Sequence, residues 1–472
     1  MSENKGTAAL FDELPAVSDG DKSTPVRGAA PRLQQAVRDQ IELRACDLES
    51  LLAPDHRARS VWQFVQSLDL DELHKGIRAV EGRPGRPPID PALLVALWLY
   101  ATLDSVGSAR ELARLCDSED AYRWLCGGVG VNHHTLSDFR VQQAVWLDEQ
   151  LTRSVAALLA QGAVTMNRVA QDGLRIRAHA KAASFRRRER LQQLLQDARD
   201  QVQALKEEVN DEPGASSRRV RAARERATVE RERRVADALR TLERIEQAAA
   251  PKKAKPRAAA KDEPPSADDN PDKDAAASDK PPKAVRVSTT DADARVMKMA
   301  DGGFRPAFNG QLVVDTATQV IAAVELNNVG SDMNQMAPMM EDIRQRYGLV
   351  PKQWLADGGF AKHEQIEAVA AAGCTPYLPV MAAKKDQRDP HAPREGDSPA
   401  IAQWRERMAA DEARAIYKER GASVECANAQ LRRRDLWRFT VCSLVKARAV
   451  LLWHALAHNL QRMIALDLAP QR

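Results

Sequence analysis

Leu349-Val350-Pro351-Lys352-Gln353-Trp354-Leu355-Ala356-Asp357-Gly358-Gly359-Phe360 carries an apolar stretch into a single carboxylate, and two glycines follow at once. Residues 361–368 then read as a helix. A strand that ends on Asp and turns through Gly-Gly places the carboxylate at a sheet's carboxyl edge, where open α/β sheets bind ligands. Glycine admits a positive φ and lets a ligand approach the backbone. An ordinary Asp-Gly turn has the same composition. The two readings separate only if other acids in the chain have matching settings.

Two further acids do. Val164-Thr165-Met166-Asn167-Arg168-Val169-Ala170-Gln171-Asp172-Gly173 is a second candidate strand ending in Asp-Gly, although Asn167 and Arg168 interrupt its apolar run. Residues 174–178 continue with the alternation of a half-buried strand. The third acid is Glu425, in Tyr417-Lys418-Glu419-Arg420-Gly421-Ala422-Ser423-Val424-Glu425-Cys426-Ala427-Asn428-Ala429-Gln430-Leu431-Arg432. Read as an α-helix, this segment puts Glu425 on one face with Gly421, Ala422 and Ala429, and such small neighbours let it reach a sheet edge. An exposed Glu on a charged helix is the alternative. Arg420 and Arg432 are suited to phosphate contact. Three acids on separate elements make a Mg²⁺ site plausible, because Mg²⁺ takes carboxylate oxygens and keeps positions for water and phosphate. Two such ions stabilise the attacking and leaving oxygens of an in-line phosphoryl transfer.

The chain of 472 residues has room for about three domains. Its 70 Lys+Arg and 66 Asp+Glu nearly cancel, leaving +4. Six cysteines show no C-x-x-C pair, which suits a reducing compartment better than a disulfide scaffold. No signal-peptide pattern opens the chain, and its longest apolar run, near 449–456, is too short to span a bilayer. A soluble, intracellular protein with no membrane partner is expected.

Residues 1–31 read as a disordered tail and 32–160 as a helical domain with several short helices, a pattern shared by DNA-binding bundles and by any small bundle. Asp90 can cap a helix that has Pro91 at its first position. The Gly82-Arg83-Pro84-Gly85-Arg86-Pro87-Pro88 arm can lay Arg83 and Arg86 in a minor groove, or serve as a rigid linker. Residues 161–184 hold the first catalytic strand. Residues 185–250 read as a charged helical hairpin, and 251–292 as a low-complexity linker. Residues 293–472 supply strands near 295–299, 307–315 and 319–326, a helix at 332–347, the Asp357 strand, a strand at 375–380 and helices from 401 onward. Three adjacent strands followed by alternating helices and strands give an α/β fold of ribonuclease-H-like order, a mixed sheet with helices on both faces. To it are added an all-helical N-terminal domain and the helical-hairpin insertion.

Gln171-Asp172-Gly173, Ala356-Asp357-Gly358 and Tyr417-x2-Arg420-x4-Glu425-x6-Arg432 resemble the three catalytic blocks of bacterial insertion-sequence DDE transposases, with Arg432 where the third block usually has Lys. Gly85–Pro91, Arg123–Gly127 and Thr135-Leu136-Ser137-Asp138-Phe139-Arg140 are similar to the helical N-terminal domain of one branch. Phe308-Asn309-Gly310-Gln311 and Ala457-His458-Asn459-Leu460 also fit. The resemblance implies binding of terminal inverted repeats in double-stranded DNA, end cleavage and strand transfer into target DNA, by a homodimer. It implies Asp172, Asp357 and Glu425 as catalytic metal ligands for two Mg²⁺, with Mn²⁺ as a substitute. Tyr417, Arg420 and Arg432, with Arg83, Arg86 and Arg140, are then the DNA-contacting residues. The 251–283 segment departs from the family pattern. Rival expectations are a catalytically inactive relative that binds specific DNA, a ribonuclease-H-type nuclease without strand transfer, and a scaffold organised by 185–250.

Overall fold

The computed structural model describes residues 47–77, 79, 87–211, 217–249, 285–381 and 389–468. The N-terminal tail, Arg83, Arg86 and the low-complexity 251–283 segment lie outside these residues.

Ahead of the sheet, the described residues form seven α-helices: α1 (Arg57–Gln66), α2 (Asp71–Lys75), α3 (Pro91–Leu103), α4 (Ala109–Ser118), α5 (Asp120–Cys126), α6 (His133–Gln142) and α7 (Ala144–Ala160). Asp90 caps α3 through Ala92 N–H at 2.8 Å, with Pro91 at the first position as expected. Gly127 ends α5 at φ 57, a left-handed conformation in which glycine escapes the Cβ penalty. α6 and α7 are separated only by Gln143.

β1 (Arg168–Arg177) follows, then the short β2 (Phe185–Arg186), α8 (Arg188–Asp211), α9 (Ser217–Ala249) and β3 (Val287–Ser288). α8 and α9 pack on one another, the paired helices expected of this region. Leu191, Leu195, Val235, Ala238 and Leu242 give it a small core of its own, joined by Val287. An antiparallel β2–β3 pair closes its base.

The sheet is completed by β4 (Arg295–Lys298), β5 (Phe304–Asp315), β6 (Ile321–Asn327), β7 (Gln353–Leu355) and β8 (Thr375–Tyr377). β6 pairs antiparallel with β5, β5 antiparallel with β1, β1 parallel with β7, and β7 parallel with β8. This is the ribonuclease-H-like strand order, with β4 added along β5. α10 (Met336–Tyr347) and α11 (His363–Ala371) flank β7, and α12 (Pro399–Ala409), α13 (Asp411–Arg420), α14 (Cys426–Arg433) and α15 (Leu444–Ala465) end the chain. Met336, Met339, Met340 and Ile343 are buried on α10 and fill the core there.

Successive side chains on a strand point to opposite faces. Gln171 bonds the Gln335 carbonyl at the start of α10 (3.1 Å), whereas its neighbour Asp172 bonds Arg420 of α13 and Asn428 of α14. Helices thus cover both faces. β1 does not stop at Asp172, as the Asp-Gly pattern suggested; it runs on to Arg177 with its ladder to β5 unbroken. Gly173 serves close packing instead of a turn, since a Cβ there would meet Asp332 Oδ1 at 2.6 Å.

α15 joins the halves of the molecule. It packs on α3, α6 and α7 of the N-terminal bundle and on β6 of the sheet, so bundle and sheet share one core. Asn459 holds the start of β6 with two bonds to Ile321, donating to its carbonyl and accepting from its N–H, both 2.8 Å. His458 Nε2 meets the Gln319 carbonyl at 2.8 Å, while its Nδ1 is buried with no hydrogen-bond partner among the described residues. Burial pushes the His458 pKa down to about 4, so the native state keeps the ring neutral while the unfolded chain protonates it near pH 6.5. Stability from this group is present above about pH 6.5 and is lost as pH falls toward 4, by up to about 3 kcal/mol. Urea midpoints measured from pH 7 to pH 4 should fall less steeply in His458→Gln than in the parent chain.

Candidate active site

Asp172 lies mid-strand on β1, Asp357 two residues past the end of β7, and Glu425 at the end of a helical turn between α13 and α14. β1 and β7 are parallel neighbours, which brings the two aspartates to one edge. Asp357 is held in place by its own turn, accepting Gly359 N–H at 2.8 Å. The two glycines after it have local reasons: a Cβ on Gly358 would meet Met381 Sδ at 3.1 Å, and one on Gly359 would meet Asp357 Oδ1 at 2.9 Å.

Gly421–Glu425 is a π-helical turn, a departure from the α-helix read from sequence. In an α-helix, residues five apart diverge in direction, whereas a π-turn, bonded i to i+5, stacks them. Arg420 and Glu425 are such a pair, and Arg420 Nη1 donates to Glu425 Oε1 at 2.5 Å. The Nη2 of the same guanidinium donates to Asp172 Oδ1 at 2.9 Å and lies 3.7 Å from Asp357 Oδ2. One buried arginine therefore gathers all three expected acids. Arg420, expected at the phosphates, faces the carboxylates in this structure.

Exposure is graded across the cluster: the side chains of Asp172, Asp357 and Glu425 are 17, 44 and 54 % exposed. Burial pushes the Asp172 pKa up to about 6; the Arg420 charge opposes this and Asp357 adds to it. For Arg420, burial opposes the charged form, but Asp172, Tyr417, Asp357 and Glu425 outweigh it and its pKa is raised. Tyr417 is half-buried beside the cluster, with its pKa raised by burial. Arg432 stacks over the exposed ring of Trp437, 5.4 Å from its centroid. Arg140 is buried away from the acids: it lies 4.7 Å over Trp98 and donates to the Gly107 carbonyl at 2.6 Å. That position welds the bundle to the rest of the core and corrects the expectation of a DNA-facing residue.

Two contributors escape the sequence reading. Asn428 donates to Asp172 Oδ2 at 2.8 Å, so both oxygens of that carboxylate are held. Its place three residues after Glu425, on the same helix, was the available signal. Asp332 sits behind Gly173 and accepts from Gln311 (2.7 Å), Asn309 (2.6 Å) and Arg175 (3.2 Å). It explains the Asn309-Gly310-Gln311 motif, but no local pattern announces it.

The donor set suits a hard divalent cation, with three carboxylates turned toward a single positive charge. Here the Arg420 guanidinium supplies that charge. Among the described residues no three Asp, Glu, His or Cys side chains form a metal-binding group by themselves.

Strand order and layering are those of the ribonuclease-H-like class, joined to a helical N-terminal region. Residues 283–460 match the model described as "Transposase DDE domain", and residues 46–142 match a model described as "Transposase domain". The chain belongs to the insertion-sequence DDE transposases, enzymes that act on DNA and generally use divalent metal ions. No curated protein and no solved structure matched it. Asp357 and Glu425 fall inside the matched DDE segment; Asp172, ahead of the hairpin, falls outside both matches. Its link to the site is geometric, through Arg420, Asn428 and the β1–β7 pairing. No helix is long and apolar enough to cross a membrane among the described residues.

Proposed function

We propose that this transposase binds the terminal inverted repeats of an insertion sequence, cleaves the DNA at its ends and joins them to target DNA, with Asp172, Asp357 and Glu425 as the catalytic acids. The supporting observation is the convergence of those carboxylates, from three separate elements, on the Arg420 guanidinium. The acids would hold two Mg²⁺ ions, or Mn²⁺ in their place, which when bound neutralise charge on the phosphoryl oxygens and activate the nucleophile.

The chain's own residues do the positioning. Asn428 and Arg420 fix the two oxygens of Asp172, and the Gly359 N–H fixes Asp357. Arg432, steadied on Trp437, presents its guanidinium to the backbone of flanking DNA, and Tyr417 lines the approach. Region 32–160, with the Arg83 and Arg86 arm, recognises the ends; 185–250 and 251–292 are an insertion and a linker within the catalytic domain of 161–184 and 293–472. The enzyme works in the cytoplasm at the nucleoid, as a homodimer spanning two ends.

The test is product analysis. Protein incubated with Mg²⁺ and the DNA that flanks its coding region should yield nicked ends and then strands covalently joined to a target duplex. Nicks without joined strands would indicate a nuclease. Specific binding without cleavage, in either Mg²⁺ or Mn²⁺, would indicate an inactive DNA-binding relative.

A further inference from the structure

Arg434 follows α14 and is only 7 % exposed. Its Nη2 donates to Gln461 Oε1, and its Nη1 is buried with no hydrogen-bond partner among the described residues. Burial, with Arg57 and Arg433 close by, pushes its pKa down to about 10. A buried cation flanked by like charges is unfavourable unless an anion joins it.

The same three arginines line a cavity of about 400 Å³ between the N-terminal bundle and the end of α14. Gln430 and Gln461 add amide groups to its wall. The wall's carboxylate, Asp104, is already engaged, by Arg57 at 3.3 Å on one oxygen and by the Tyr122 hydroxyl at 3.1 Å on the other. Ser105 bridges the two walls, donating from Oγ to the Arg433 carbonyl at 3.3 Å. Ser105 and Asp435 hold φ of 61 and 65, left-handed conformations that non-glycine residues adopt at a cost.

We propose that this cavity is a phosphate pocket that takes one backbone phosphodiester of the DNA on which the enzyme acts. Guanidinium forks and amide N–H groups are the donors that recognise a phosphate. Arg433 lies eight residues beyond Glu425, roughly 12 Å along a helix at 1.5 Å per residue. The phosphate it holds is therefore a few nucleotides from one at the acids. The pocket draws on both the bundle (Arg57) and the catalytic domain (Arg433, Arg434), so filling it couples the two. It needs only a chain that acts on DNA, whichever carboxylates hold metal.

The full-length protein is compared with Arg57→Gln/Arg433→Gln, a pair chosen because both side chains are solvent-accessible and the buried Arg434 stays in place. Melting temperatures check that the pair is folded. Binding to a short duplex from the flanking DNA is read by anisotropy against salt, with single methylphosphonates walked along the backbone. The double variant should bind about tenfold more weakly, and its salt slope should be shallower by roughly 0.9, the value of one phosphate contact. One methylphosphonate position should weaken the parent protein about tenfold and leave the variant unaffected. Arg433→Lys, which keeps the charge without the fork, should recover the slope but not the full affinity. Two results would overturn the proposal. One is that every modified position affects both proteins alike. The other is that inorganic phosphate raises the melting temperature of the parent alone while DNA affinity and slope are unchanged, which marks a free-anion site. Cleavage is not read, so failure of the catalytic assignment leaves this measurement standing.

Discussion

Asp357→Ala should lower Mg²⁺-dependent nicking of end-containing DNA by about a thousandfold or more, on the order of 4 kcal/mol of transition-state stabilisation. The folded state should hardly notice. Asp357 is nearly half exposed, its contact with Arg420 is long at 3.7 Å, and its only described hydrogen bond is to the local Gly359 N–H. A surface carboxylate of that kind contributes about 1 kcal/mol or less to stability. DNA affinity should stay within a few-fold of the parent, because removing one acid from a phosphate-binding site also removes a repulsion. The informative result is the dissociation between readouts. Equal nicking by the two proteins would remove Asp357 from the chemistry. Loss of folding together with activity would make it a structural residue.

Arg420→Gln should act in the opposite sense on metal and on stability. Arg420 is a buried guanidinium with carboxylates on both forks, and taking away one partner of such a group costs about 3 kcal/mol because the remaining charge stays desolvated. Asp172 carries most of that penalty. Its pKa, already pushed up to about 6 by burial, should rise further without the guanidinium. A carboxyl whose folded pKa exceeds its unfolded value stabilises fully below the unfolded pKa and loses that contribution as pH rises through the folded pKa. The deficit of the variant should therefore be larger at pH 8 than at pH 5, measured by urea unfolding. Divalent ions should reverse it, since a cation that enters between the acids no longer competes with a fixed arginine. The Mn²⁺-induced rise in melting temperature should exceed that of the parent protein. A smaller rise than in the parent would mean that Arg420 helps to build the metal site and does not stand in for the ion.

The parts of this molecule governed by local pattern were readable in the sequence. Strand alternation, the Asp90-Pro91 helix start and the order of strands around Asp357 depend on neighbours in the chain, and the structure has them. The misreadings share a different cause. Asp172-Gly173 looked like a strand end because Gly usually punctuates; the Asp332 side chain that demands a glycine comes from a distant loop. A π-turn has no composition of its own, so the sequence around Glu425 reads as an α-helix and gives no sign of the pairing to Arg420. Arg140 looked like a surface cation because nothing beside it in sequence announces Trp98 beneath it or the Trp453 indole donating to its carbonyl.

The β2–β3 pair at the foot of the hairpin bears on how the protein is assembled. β1 must find β5 across the whole insertion, and the entropy of closing a loop grows with its length. Once α8 and α9 have docked and Phe185 has paired with Ser288, the insertion becomes a closed side-branch. The two strands are then tethered only through the short segments 178–184 and 289–306. Each halving of an open loop is worth roughly 0.6 kcal/mol. The hairpin is thus a built-in splint: closed on itself, it lowers the entropic cost of pairing the strand that carries Asp172 with β5.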